Sequence, residues 1–406
     1  MSGPLDGVRI IDLTSVLMGP FATQLLGDLG ADVIKVEPKG GDVVRGIGPM
    51  RHAQMGGGFL HVNRNKRSIG LDLKTPEAVQ ILFRLASSCD VMICNVRPQA
   101  MARLGLTYEA LAEVNPRLIF VSLVGFGQGG PYAGLPAYDD LIQGLIGLPS
   151  LIAEVGDGVP RYVPLAFVDR AVGLAASNAV TAALYRREKS GVGQAIEIPM
   201  FETMVPFVLG EHMASATFEP QKGSMGYPRQ LSPERKPFAT SDGHICVVVY
   251  SDKQWRSFFE QIGRLDEFDS DPRFADIGNR TLHIGVLNAI VAKAMLMRTT
   301  LDWLDVLPKI DIPAMRMHTL QSLMKDPHLC ATGYFQSVEH PSEGRVVSMA
   351  IPGHWSESKP ELRLSAPRLG EHTMQVLAEV GYAQHEREIL EACGAVVTDK
   401  SRGDSQ

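Results

Sequence analysis

Two β-branched runs, VRIIDL at residues 8–13 and DVIKV at residues 32–36, bracket a stretch at residues 20–29 whose apolar positions recur at helical spacing. That is a βαβ unit. A second series follows: residues 68–73 extended, 76–87 helical with Pro76 in the first turn, 91–94 extended, 108–114 helical and 118–123 extended. Alternation sustained in this way predicts an α/β fold, a Rossmann-like parallel sheet covered on both faces by helices.

The 406 residues, 45% hydrophobic and 21% charged, suffice for two domains of about 100–200 residues each. After Lys189 the pattern changes. A turn and strand (SGVGQAIEIPM) lead to a stretch at 219–236 rich in Gly, Pro, Ser and charge. A strand at 243–249 and a mostly helical region at 255–307, interrupted at DSDPRF, follow. The predicted organisation is a large domain whose N-terminal part spans 1–200, a linker at 201–235, a smaller α+β domain at 236–320, and a linker and C-terminal segment at 321–406 returning to the large domain. Further strands are expected after Leu320, a Pro-containing connection at 341–367, a last helix at 371–380 and a frayed polar tail after Val397.

Several function classes fall away. With a formal net charge of -6 the chain is a poor partner for nucleic acid or an anionic membrane. No run of 18 apolar residues suggests a membrane span, and MSGPLDGVRIIDL lacks the pattern of a signal peptide. Five scattered cysteines form no C-x-x-C pair and lie near no histidine cluster, which points to reduced thiols, a cytoplasmic location and no metal. Glu37 stands where a ribose-binding acid would end the second strand of a dinucleotide fold. The first turn, TSVLMGP, nevertheless lacks G-x-G-x-x-G, and the later GFGQGG at 125–130 runs into Pro131 and reads as a loop. There is no G-x-S-x-G elbow, and His61, His212 and His244 are isolated.

Two features remain that carry chemistry. In RYVPLAFVDRAVGLAASNAVTAALYRR (161–187) an apolar run ends at Val168, Asp169 follows, and a helix rich in Ala, Gly and Ser begins. An aspartate there is either an N-cap that satisfies the first helical amides or a carboxylate placed to attack a thioester carbonyl. The second feature is a series of basic and polar pieces at or near strand ends: NRNKRS at 63–68, LDLK at 71–74, NVRP at 95–98, and Arg103. They read either as a solvated rim or as contacts to a polyphosphate, which arginine and lysine suit. Their number in one half-domain favours the ligand.

With these blocks in place the chain resembles the class III CoA-transferases, the family of formyl-CoA transferase and carnitine CoA-transferase. The likeness runs from PLDGVRIIDLTSVLMGP and LLGDLGADVIKVEP through NRNKRSIGLDLKTPEA, NVRPQAMARLGL, NPRLIFVSLVGFGQGGPYAGLPAYD and the Asp169 helix to DPHL and APRLGEHTMQVLAEVGY. The resemblance implies a large domain built from both chain ends, a smaller domain between, and an interlocked-ring homodimer. It implies coenzyme A or acyl-CoA as substrate with no tightly bound cofactor, and a small carboxylic acid as the other partner. Asp169 becomes the acyl acceptor, forming a mixed anhydride and then an aspartyl-CoA thioester. CoA is expected against Val16, Leu17 and Met18, Leu71, Asp72, Leu73 and Lys74, Asn95, Val96 and Arg97, Arg103, and Pro136, Ala137 and Tyr138, with Asp139 near the active aspartate.

The chain also departs from formyl-CoA transferase. That enzyme's glycine-rich closing loop has no counterpart between Glu219 and Asp242, Leu17 replaces a polar amide and Pro38 an arginine, all of which argue against oxalate as acceptor. The segment Ile312-Pro313-Ala314-Met315-Arg316-Met317 replaces the family's I-P-x-G-P-V, and Arg316 either grips a second carboxylate, favouring a dicarboxylic acid, or is a surface or interface arginine. The same fold hosts an α-methylacyl-CoA racemase, but the His of its G-H-D-x-N-Y is missing from Ala137-Tyr138-Asp139-Asp140-Leu141-Ile142. A non-catalytic CoA binder is a third class, which replacement of Asp169 would distinguish.

Overall fold

The β-branched runs become strands buried on both faces. The computed structural model describes residues 3–399. In it β1 (Arg9–Leu13), β2 (Asp32–Glu37), β3 (Lys66–Leu71), β4 (Val91–Cys94), β5 (Ile119–Val124) and β6 (Gln194–Pro199) pair in parallel, in the spatial order 3-2-1-4-5-6. A short strand, Val396–Val397, adds an antiparallel edge beside β3. Register is set by the β1 side chains: Ile10 lies opposite Val33 and Val91, Ile11 opposite Ile34 and Met92, and all six are buried.

Helices α1 (Met18–Asp28), α2 (Gly57–Leu60), α3 (Pro76–Ala86), α4 (Pro98–Arg103), α5 (Tyr108–Val114), α6 (Asp139–Leu145), α7 (Leu148–Val155), α8 (Phe167–Ser190) and α9 (Met200–His212) follow in chain order. α3 shows how local sequence places them: the Thr75 hydroxyl accepts from the Ala78 amide, Pro76 opens the first turn, and an apolar stripe faces the sheet. Because strand side chains alternate, Ile11 and Leu13 join the α3 core while Asp12 points the other way, to Thr23 of α1 at 2.7 Å.

That second face carries a buried charge network. Lys66 Nζ donates to Asp12 Oδ2 at 3.0 Å, Lys35 Nζ to Asp42 Oδ2 at 2.9 Å, and Arg45 grips Glu37 through Nε and Nη2, both at 2.7 Å. Three anions meet three cations, which is how buried charge is tolerated. Burial works against ionisation of Asp12, but Lys66, Lys35 and two hydroxyls outweigh it and hold its carboxyl near 2. Burial pulls the Lys66 ammonium down to about 8.

The network corrects one expectation. The stretch at 63–68 is an internal frame, not a phosphate rim: Arg64 pairs with Asp28 at 2.8 Å, Lys66 with Asp12, and Arg67 with Asp32 and Glu379 at 2.6 and 2.7 Å. It enters β3 at the amino end, whereas ligands of such sheets collect at the carboxyl ends. Glu37 is likewise committed, to Arg45 and Ser68.

The chain forms two units. The first holds the residues up to Ile146, Val163–Phe207 and those from Thr332; the second holds Gly147–Tyr162 and Val208–Ala331. Thus α7 belongs to the second unit, and α9 occupies the start of the stretch read as a linker. In the second unit Phe238–Ala239, His244–Val247 and Ala314–Arg316 form an antiparallel sheet over a core containing Trp255, Phe258, Phe259 and Trp303. In the first, a hairpin of Phe335–His340 and Gly344–Met349 falls partly within the expected connection. A further helix, Gln384–Ala392, follows Thr373–Glu379. Thr398 and Asp399 are anchored to Glu391 and Arg368, so the start of the expected tail is held; the rest lies outside the described residues. Among the described residues no single helix is long and apolar enough to cross a membrane.

Candidate active site

Strand order reverses between β1 and β4, and in open α/β sheets the crevice at that point is where ligands bind. Here the two turns that border it are stitched together: Ser15 N donates to Asn95 Oδ1 at 3.1 Å, and Asn95 Nδ2 donates to the Ser15 carbonyl at 2.9 Å. Val16 adopts φ +71, a conformation β-branched residues rarely take. Its amide donates to Asp42 Oδ1 at 3.1 Å, and Asp42 is fixed by the buried Lys35. Strain of this kind persists where surrounding bonds over-determine the backbone, and it clusters at ligand clamps.

Two cavities open beside this turn. One, of about 390 Å³, is lined by Thr14, Ser15, Glu37, Asp42, Leu71, Asp72, Leu73, Lys74, Asn95, Val96 and Leu104, among others. The other, of about 210 Å³, is lined by Ser15, Val16, Met18, Asn95, Arg97, Gly125, Gln128, Pro136, Ala137, Tyr138 and Met200, among others. Ser15 and Asn95 border both. Most of the residues expected against CoA therefore share one crevice. Leu17 does not: it packs with Val44, Phe59 and Ala366. Arg103 lines neither cavity but stands exposed at the end of α4, next to Leu104. Arg316 is exposed in the second unit, at the end of a strand. The GFGQGG loop keeps two amides occupied, Gly127 N by Glu202 at 2.9 Å and Gln128 N by Glu197 at 3.0 Å.

Asp169 is the third residue of α8, not its cap: the helix opens at Phe167 after Ala166, which supplies no side-chain cap. The orphan amide is satisfied from elsewhere. Asp139, first residue of α6, accepts the Asp169 N–H on Oδ2 at 2.9 Å, while Gln143 Nε2 holds its Oδ1 at 2.5 Å. Asp169 as a residue is 9% exposed, and no described residue donates a hydrogen bond to its carboxylate. Burial, then the neighbouring charge of Asp139, push its carboxyl up to about 6, against a smaller opposing pull from Arg170. One turn on, Gly173 brings α8 against α1: a Cβ there would sit 2.8 Å from the Met18 carbonyl oxygen and 3.0 Å from the Phe21 ring. Asp169 and Gly173 share a helix face, so the carboxylate is presented beside the segment that walls the crevice. No histidine is hydrogen-bonded to Asp139 or Asp169 among the described residues.

Sequence reasoning missed Ser15 and Asp42, which hold the strained turn, and Arg170. None of the three left a sequence signal that singled it out; Arg170 is visible only as a cation next to Asp169. Fold and site together define an α/β enzyme with a ligand crevice at the switch point and a buried aspartate beside it whose carboxylate receives no hydrogen bond from the described residues. The chain matches CoA-transferase family III over residues 5–373, and it belongs to that family; it is a CoA-transferase. It is 34% identical to a succinate–glutarate CoA-transferase of Agrobacterium fabrum, over 93% of this chain and 96% of that one. It is 30% identical to a formyl-CoA:oxalate CoA-transferase of Rhodopseudomonas palustris, over 98% of each. A crystal structure of a CaiB/BaiF family protein from Brucella suis superposes with a TM-score of 0.78 at 32% identity, covering 94% of this chain and 100% of that one.

Proposed function

We propose that the enzyme moves CoA from an acyl-CoA donor to a carboxylic acid through covalent intermediates on Asp169. The observation that carries this reading is the Asp169 carboxylate itself, on a buried residue, without a hydrogen-bond donor and held against a second acid. Such an oxygen is poorly solvated and correspondingly nucleophilic. Attack on the donor thioester forms a C–O bond, breaks the C–S bond and releases CoA thiolate, leaving a mixed anhydride. The thiolate attacks the aspartyl carbonyl, and the donor acid leaves. The acceptor carboxylate then reverses both steps. Asp139 positions: it fixes the first turn of α8 and keeps Asp169 from being stabilised as a resting anion.

CoA is assigned to the crevice. Lys74 and Arg97 line it and Arg103 stands outside it, beyond Leu104; all three are exposed and form no ion pair among the described residues, which suits phosphate groups. The acceptor class follows the relatives, and a dicarboxylate is the reading we favour. A homodimer is supported by apolar side chains left open on the single chain: α8 exposes Leu174 and Tyr185, and Tyr138, Leu141 and Phe207 are open as well. Five free thiols support a cytoplasmic location.

The racemase reading lacks a histidine at the acid pair. Exchange assays over a panel of acyl-CoA donors and acids, on the wild type and Asp169→Ala, test the assignment. The variant should lose exchange by a factor of about 10³ or more; full activity in it would overturn the mechanism.

A further inference from the structure

Arg170 follows the proposed nucleophile on α8, yet among the described residues its side chain makes no ion pair and no hydrogen bond. Its half-buried guanidinium lies over the Phe21 ring of α1, 4.4 Å from the centroid. The ring is itself fixed where α8 meets α1 at Gly173. A guanidinium held by stacking, with its forked donors open, is set up to receive a planar carboxylate. Burial pulls the Arg170 guanidinium down, and Asp169 is the charge that offsets it. Burial, then Arg64 and Arg170, pull the nearby His61 below its ordinary value, which disfavours a competing cation there.

The next step rests on the reading of Asp169 given above. Whenever Asp169 carries an acyl or CoA group its carboxylate is neutral, and Arg170 loses its one anionic neighbour. We propose that Arg170 is the carboxylate-binding residue for the acceptor acid, taking it up when Asp169 is a thioester and releasing it when the aspartate is restored. The charge balance closes at each step. The acceptor oxygen attacks the aspartyl carbonyl, the C–S bond breaks and CoA leaves as thiolate. The thiolate then attacks the acceptor's carbonyl, the anhydride C–O bond breaks, and Asp169 departs as a carboxylate beside Arg170. Free acid is thereby disfavoured in the resting enzyme and favoured in the acylated one, which orders the two half-reactions.

Asp169→Asn mimics the neutral state without chemistry. Propionate, succinate and glutarate would be titrated calorimetrically into the full-length wild type, Asp169→Asn, and that variant with Arg170→Gln or Arg170→Lys added. At least one acid should bind Asp169→Asn about tenfold more tightly than the wild type. Arg170→Gln should abolish the gain, and Arg170→Lys should restore part of it. No gain in Asp169→Asn, or a gain that survives Arg170→Gln, would overturn the proposal. Should the double variant not fold, Arg170→Gln alone decides: KM for the acid rises about tenfold or more while acylation of Asp169 by acyl-CoA stays within about threefold. Equal losses in both would overturn it. Exchange activity retained by Asp169→Asn would instead strike down the underlying reading of Asp169.

Discussion

Replacing Asp169 by Asn should stabilise the protein, and by an amount that depends on pH. Asp169 is buried beside Asp139, and its carboxyl is raised from 3.8 to about 6. A folded state that holds the proton more tightly than the unfolded chain loses stability as pH rises between those values. Below pH 4 the acid is protonated in both states and contributes nothing; above pH 6 it is charged in both and the full cost is present. Raising the carboxyl from 3.8 to about 6, at about 1.36 kcal/mol per pH unit, gives about 3 kcal/mol. The asparagine variant carries no such cost, and its amide fills the same volume. The difference in unfolding free energy between the two proteins should therefore be near zero at pH 4 and grow to about 3 kcal/mol by pH 7.5. Denaturant unfolding at matched protein concentration, pH 4 to 8, measures it, read on the transition that carries the sheet unit because two units need not unfold together. A difference that does not vary with pH, or an asparagine variant less stable than wild type at pH 7.5, would refute the burial argument. The gain would be a stability–activity trade-off located at one side chain.

Acylation by acyl-CoA should fall as pH drops below about 6, and Asp139→Asn, by removing the like charge, should move that inflection to lower pH; a pH–rate profile that stays in place would contradict the pairing. Gly173→Ala forces a methyl into the Met18 carbonyl and should cost about 1–3 kcal/mol in denaturant unfolding, with slower exchange, since Asp169 rides on the same face. Glu37→Ala leaves the buried Arg45 uncompensated and should cost about 3–5 kcal/mol by the same measurement.

The sheet was legible because its strands are short apolar runs separated by helical spacing: Val91–Cys94 and Tyr108–Val114 are found where the pattern put them. The GFGQGG loop was legible through Pro131. Asp169 was legible as a residue but not as a position. Phe167 and Val168 look like the end of an apolar run, yet they are the first turn of α8, because the partner that satisfies its amide lies thirty residues back at Asp139. The basic stretch at 63–68 misled for a related reason: charge is visible in a sequence, but its partners Asp12, Asp28, Asp32 and Glu379 are distant in it. α6 is short and went unread, although it carries Asp139. Arg170 could not be singled out, since the lack of an ion pair is a tertiary property.

Covalent transfer through Asp169 is the central claim, and intact-protein mass after incubation with short acyl-CoA thioesters, quenched with hydroxylamine or borohydride, tests it most directly. A trapped adduct should map to Asp169 in the wild type and be absent from Asp169→Ala. No adduct with any thioester, alongside exchange of the substrate α-proton with deuterated water, would contradict it and favour proton transfer on the same fold.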